Sequence, residues 1–330
     1  MDNLTHSLVG LFLARAGFRH VSPRATAIAI VAANIPDIDC IVLLGGTLPY
    51  LRYHRHLTHS LVAIPFMAVV AVLLVALYPR KPGEPPIRWL PAFAAAIVGV
   101  LSHILLDLTN VYGIRLLLPW SGGWTHWDLV PVVDFLIWAI LLLGLAAPLL
   151  NRLLNSELGV KKRSVGTGWA IFSLLLLIGY DWARRDLHDY ALGQLESRTY
   201  NGLGARRVGA FPLANPLHWE GVAEMSYGYI VVPVDVMRTF DPTIGQAYYK
   251  GELTPALEAV RATDPFQRLQ EFVQWPVWSN SPAQAGATRV SLIDLRFGRP
   301  NQPGFTSVGT VSKSGQVLDS QFILGRFRPK

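Results

Sequence analysis

Apolar runs at positions 60–78, 89–106, 132–150 and 168–180 approach or reach the roughly 20 residues needed to cross a hydrocarbon core, the last being short. A chain built this way is restricted to a membrane-spanning helical bundle, because lipid offers no partner to an unpaired backbone group. Two shorter apolar stretches, 4–16 and 25–33, are expected as a partly inserted hairpin or as helices buried in protein. With 51% hydrophobic residues and a mean hydropathy of +0.33, the 330-residue chain is too apolar for an ordinary soluble protein. No cleavable signal peptide is expected, since Met1-Asp2-Asn3 lacks a basic region and His6 interrupts the first apolar stretch.

The net charge of +7 raises the question of nucleic acid, but the cations follow the apolar segments instead. Arg15, Arg19 and Arg24 fall in one connection, Arg80, Lys81 and Arg88 in a second, and Arg152, Lys161, Lys162 and Arg163 in a third. With four spans these connections share one side, which the positive-inside rule makes cytoplasmic. The opposite connections carry only Arg52, Arg55 and Arg115. No nucleic-acid-binding motif is present, and membrane lipids are the expected surroundings.

Beyond position 182 the long apolar runs stop, and Gly, Pro, Tyr and alternating patterns take over. The expected fold is a multi-span α-helical membrane bundle over residues 1–182. A small α+β, mainly antiparallel-sheet, extramembrane domain follows over 183–330. Residues 221–235, 288–296, 305–311 and 316–324 read as strands, with Lys313-Ser314-Gly315 as a hairpin turn. Residues 254–261 and 266–274 read as helices.

The string Leu-Thr-His-Ser-Leu-Val occurs twice, at 4–9 and 57–62, each time opening an apolar run. Each copy has Thr where an N-cap would sit and His in the first turn. A helix N-terminus disfavours a proton on imidazole, leaving a neutral ring able to bind metal or act as a base. A local hydrogen bond at a helix end is the structural alternative.

Further ionisable residues lie inside or beside the apolar segments, where charge is costly and marks function. In Asn34-Ile35-Pro36-Asp37-Ile38-Asp39, Pro36 ends a helix and alternation puts both carboxylates on one side, as metal ligands or as caps of a turn. His103 and Asp107, four apart, share a helix face as a chelating pair or an internal hydrogen bond. Asp134 opens the third span as a further ligand or as a charge favoured by the helix dipole. His54 is a candidate ligand or general acid, and Arg55 an anion clamp or a solvated cation.

Cys40 is the single cysteine, so an intramolecular disulfide and a cysteine-based zinc cluster are excluded. His6, Asp37, Asp39, His59, His103, Asp107 and Asp134 form a nitrogen and oxygen donor set suited to zinc, manganese or iron, in a site of two or more ions. Such sites activate water and clamp phosphoester oxygens. The expectation is a metal-dependent hydrolase acting on a phosphoester or lipid-linked substrate, with His54 or Asp39 handling the proton and Arg55 steadying negative charge. An ion transporter, or a non-catalytic scaffold with a structural metal, would use the same residues.

Four segments together resemble one family: Met1–Ser7, Asn34–Asp39, Tyr53-His54-Arg55 leading into Leu57-Thr58-His59-Ser60, and His103-Ile104-Leu105-Leu106-Asp107. This is the family of inner-membrane metal-dependent hydrolases associated with the LexA regulon. The likeness covers roughly residues 1–140. The stretch 212–228, with Asn215-Pro216-Leu217-His218-Trp219, looks like the opening of the extracytoplasmic domain of longer members. The resemblance implies a bacterial inner-membrane enzyme assigned as a hydrolase from its ligand pattern, with no substrate attached. Residues 119–128 depart from the pattern by carrying Trp120, Trp124 and Trp127, which fit a membrane interface and leave His126 and Asp128 unassigned.

Overall fold

A computed structural model of the chain describes residues 1–157 and 166–325. Lys161, Lys162 and Arg163 lie outside the described residues. The chain divides into two compact units. The first comprises Met1–Asp39, Arg55–His188 and Pro212–Pro216, and the second Cys40–His54, Asp189–Phe211 and Leu217–Lys330.

The chain forms α1 (Asn3–Ala16) and α2 (Ala25–Ala32) in the first unit, then a 3-10 stretch over Ile35–Gly45 that passes into the second, as does α3 (Thr47–Tyr53). After α3 come short 3-10 turns at Leu57–His59 and Leu61–Ala63, then α4 (Ile64–Leu77), α5 (Trp89–Thr109) and α6 (Phe135–Glu157). Helix α7 (Thr167–Glu196) is continuous across the point where the sequence changes composition. Trp89–Thr109 and Phe135–Leu153 are each long and apolar enough to cross a membrane. Two bent pairs, Ala25–Ala32 with Ile35–Gly45 and Thr47–His59 with Leu61–Leu77, bring the number to four if each pair is one span. The stretch 168–180 is absent from this set: it forms the start of α7, which soon becomes polar. Large apolar side chains such as Phe66, Leu77, Leu90, Phe135 and Leu143 point outward, as lipid-facing residues do.

Small residues set the spacing of α1, α2 and α5. A Cβ on Gly10 would stand 2.7 Å from the Ala29 carbonyl oxygen, and one on Gly99 would stand 2.8 Å from Ala32 Cβ. Helix α2, with Ala25, Ala29 and Ala32 buried, is thus gripped between α1 and α5 at backbone distance. Ile28, Ala68, Val72, Ala96, Val100 and Ile104 form one apolar core, and Leu8, Phe12, Leu106, Ile137, Leu141 and Leu177 a second.

The second unit holds two four-stranded sheets and a two-stranded pair, β1 (Thr199–Tyr200) with β2 (Leu203–Gly204). One sheet has the order β3 (Arg207–Pro212), β4 (His218–Glu224), β5 (Gly228–Asp235), β6 (Gln246–Tyr249). The stretch 221–235, expected as one strand, is a hairpin: β4 and β5 pair antiparallel from His218↔Asp235 to Glu224↔Tyr229, turning through 225–227. Valines and alanines on both sides of the turn blur it in sequence. The other sheet runs β10 (Val317–Leu324), β9 (Phe305–Val311), β8 (Thr288–Asp294), β7 (Pro276–Pro282), all antiparallel. Gly315, at φ +84°, makes the β9–β10 turn where the sequence places it. Helices α8 (Pro255–Arg261) and α9 (Asp264–Phe272) cover this sheet through Leu257, Val260, Phe266 and Leu269. Helix α3 packs on α9 and β10, where Thr47 Oγ1 donates to the Phe322 carbonyl over 2.6 Å.

Candidate metal centre

The two copies of the repeated hexapeptide adopt different conformations. In the first, Thr5 and His6 lie within α1, whose N-cap is Asp2: its carboxylate accepts from the Thr5 backbone N–H at 3.0 Å and the Thr5 hydroxyl at 2.7 Å. In the second, Leu57–His59 is a 3-10 turn, and α4 starts only at Ile64 after Ala63. Neither Thr is an N-cap, contrary to the expectation from sequence. Asp2, a stronger cap than Thr, outcompetes it in the first copy. In the second, the Thr58 hydroxyl donates to Asp39 over 2.6 Å.

Both histidines nevertheless arrive at one place. His6 and His103 are stacked, ring centroids 3.8 Å apart. His59 Nε2 lies 3.1 Å from His103 Nε2. Asp37 Oδ1 is 3.4 Å from His59 Nε2 and 3.7 Å from His103 Nε2. Asp107 Oδ2 is 3.4 Å from each of those nitrogens. One donor atom from each of Asp37, His59, His103 and Asp107 lies within 4.8 Å of the others. His6, His59, His103 and Asp107 have no exposed surface.

The surrounding hydrogen bonds fix what these atoms offer. His103 Nδ1 contacts the Ala33 carbonyl at 2.8 Å, and a carbonyl only accepts, so Nδ1 carries the hydrogen. The Thr58 hydroxyl spends its hydrogen on Asp39, so at 3.0 Å it accepts from His59 Nδ1. In the neutral rings these assignments leave a lone pair on each Nε2, two lone pairs facing each other at 3.1 Å. Asp107 behaves likewise: Oδ1 takes the Arg55 guanidinium at 3.0 Å and the Met1 amino group, while Oδ2 makes no hydrogen bond. Such a convergence of lone pairs and carboxylate oxygens in a buried pocket is stable only around positive charge, a proton or a metal ion. Two imidazoles and two carboxylates, with no thiolate, match the donor chemistry of zinc, manganese or iron.

The remaining residues singled out from sequence fall around this group or away from it. His6 borders it, with Nε2 3.4 Å from Asp107 Oδ1 and neither ring nitrogen hydrogen-bonded. Asp39 stands behind His59 at 3.3 Å from Nδ1, accepting also from the Arg55 backbone N–H at 2.9 Å, so it orients the His59 ring. Arg55 is 4% exposed, at φ +58°, and donates to Asn110 Oδ1 at 3.1 Å as well as to Asp107. A solvated surface arginine is therefore excluded. Its guanidinium also covers the Tyr112 ring, 4.9 Å from the centroid.

His54 and Asp134 are not brought into the group. His54 belongs to the second unit, stacked on Tyr50 and 3.5 Å from Cys40 Sγ. Asp134 caps α6 through the Leu136 and Ile137 N–H groups and accepts from the Tyr180 hydroxyl at 2.8 Å. His126 and Asp128 pair with each other at 2.8 Å. Sequence reasoning missed the parts played by Thr58, Asn110 and the Ala33 carbonyl, which hold His59, Arg55 and His103 in place. Asn110 was legible as a polar residue one turn beyond Asp107.

The group sits at one end of the bundle and the basic residues at the other. His6 precedes Arg15 by nine residues of α1, about 14 Å, and Arg88 precedes His103 by about 22 Å along α5. Arg24 donates to the Tyr78 and Pro79 carbonyls and to Glu84, joining the first two basic connections. Arg15, Arg19 and Arg152 line one cavity, joining the first to the third.

Residues 1–186 match the YdjM inner membrane protein family. An uncharacterized protein of Bacillus subtilis (strain 168), YfhP, is 28% identical over 144 residues, which are 41% of this chain and 42% of that relative. The alignment thus spans less than half the length of the relative. No solved structure matches. By the match over its first 186 residues, the chain belongs to the YdjM inner membrane protein family.

Proposed function

We propose that this inner-membrane protein is a metal-dependent hydrolase acting on a phosphoester or lipid-linked substrate at the bilayer surface. Asp37, His59, His103 and Asp107 would hold the ion, zinc first among zinc, manganese and iron. The observation that carries this is the facing pair of lone pairs on His59 and His103, which an ion reconciles. The donor atoms of these four residues lie close enough together to share one ion. When bound, the ion would acidify water and polarise an ester oxygen.

The chain's own residues supply position and exclusion of water. Asp39 and Thr58 hold the His59 ring, and the Ala33 carbonyl holds His103. Arg55 restrains Asp107 through Oδ1 and keeps Oδ2 turned toward the histidines. That task replaces the free anion clamp expected from sequence. His6, without a hydrogen bond on either nitrogen, is the side chain best placed to add a ligand or move a proton. With the basic end cytoplasmic, the site faces the exterior leaflet.

Complete burial of three ligands favours a second reading, a closed structural site, since catalytic ions keep an open position. One experiment separates them. Metal content and hydrolysis of a chromogenic phosphodiester are measured on the purified full-length protein and on His59→Ala and His103→Ala. Bound metal and turnover, both lost in the variants, are expected. Metal without turnover on phosphoester or lipid-linked substrates favours the structural ion, and a wild-type protein without metal removes both readings.

A further inference from the structure

At the basic end of the first unit, Arg15 and Arg19 converge with Arg152, near the end of α6, on a cavity of about 220 Å³. Leu145, Pro148 and Leu149 make an apolar side of it, and Gly166 completes the lining. Three guanidinium groups around one space repel one another, and the cost is greatest beside hydrocarbon, where screening is weak. The neighbouring Arg24 shows how this fold neutralises a cation from within: Glu84 meets its guanidinium in a bidentate pair at 2.6 and 2.7 Å. Arg15 and Arg152 have no carboxylate partner among the described residues, so the compensating anion comes from elsewhere.

Position identifies that anion. The cavity lies where the apolar length of α6 gives way to polar chain, the depth of lipid phosphates. Basic pockets between helices at this level recognise anionic headgroups, and arginine forks match phosphate oxygens in pairs. The leucine and proline wall suits the glycerol and the first methylenes of an acyl chain, and offers nothing to a free ion. We infer that the Arg15/Arg19/Arg152 cavity binds the phosphodiester headgroup of an anionic phospholipid from the leaflet at the basic end of the bundle.

The test uses full-length protein in nanodiscs and in detergent. Retention of phosphatidylglycerol against phosphatidylcholine is read by native mass spectrometry, with inorganic phosphate as competitor. Wild-type protein is expected to retain phosphatidylglycerol selectively. Each arginine removed, in Arg15→Gln and Arg152→Gln, should weaken retention about fivefold. Lys81→Gln, at the same end but outside the cavity, should leave it unchanged. Leu149→Trp fills the space without altering charge, so it should also lose the lipid and covers the case in which an arginine variant fails to fold. Equal losses in Lys81→Gln would show a diffuse attraction of the basic end, and full competition by inorganic phosphate at equal concentration would show a free-anion site. Either result, or undiminished retention in Leu149→Trp, overturns the assignment.

Discussion

His6 on α1 and His103 on α5 stack with their rings 21° from parallel. Helix α2 is the shared reference: Gly10 lies one turn after His6, Gly99 one turn before His103, and both glycines rest on its backbone or its alanines.

Gly99→Leu is therefore expected to separate the two histidines. Its Cβ would press on Ala32 and on the Ala29 carbonyl, neither of which can rotate away. Overpacking of this kind costs about 1–3 kcal/mol. Thermal unfolding in detergent should show the loss, and metal analysis should show weaker binding. An unshifted melting curve would mean that α2 and α5 part freely.

On the proposed metal reading, removal of the ion is expected to destabilise the first unit. An ion present at about 100 times its Kd contributes about 2.7 kcal/mol to the folded state. Chelation should therefore lower Tm in the wild type and leave His103→Ala unmoved.

Arg55→Lys is expected to fail as a replacement. The guanidinium spans Asp107 and Asn110 at 3.0 and 3.1 Å, and an ammonium cannot reproduce that fork. Arg55→Ala removes one partner of a buried pair, a change that costs about 3–5 kcal/mol. Chemical denaturation of both variants checks the order: alanine worst, lysine intermediate, wild type most stable.

The Arg24–Glu84 pair predicts a feature of the acid limb of stability. Hydrogen bonds from Arg24 bring the Glu84 carboxyl down to about 2 from an ordinary 4.5. A depressed carboxyl stabilises the folded state above its unfolded value, and that contribution fades as pH falls from about 4.5 toward 2. Glu84→Gln should flatten this part of a Tm-against-pH profile while leaving the neutral range almost unchanged. A variant with the wild-type slope between those pH values would sink the prediction.

Periodicity made some of this legible. The four-residue interval of His103 and Asp107 puts both in the group, and Gly315 marks the β9–β10 turn. What escaped depends on contacts distant in sequence. Thr58 and Thr5 share a local sequence, yet one serves Asp39, nineteen residues earlier, and the other its own helix cap. The same limitation affected Asp134, whose position inside an apolar run looked like a ligand until its bonds to the α6 N-terminus and Tyr180 accounted for it. His54, expected as a further ligand or general acid, falls in the second unit, because proximity along the chain says nothing about which unit claims a segment.

The Arg55 N–H that reaches Asp39 joins the two ends of the excursion from Cys40 to His54. That clasp sets the distance between departure and return, whatever lies between them. Closing a longer loop costs only about 0.6 kcal/mol for each doubling in length. A change in the length of this stretch therefore alters the closure cost at the Asp39–Arg55 clasp very little.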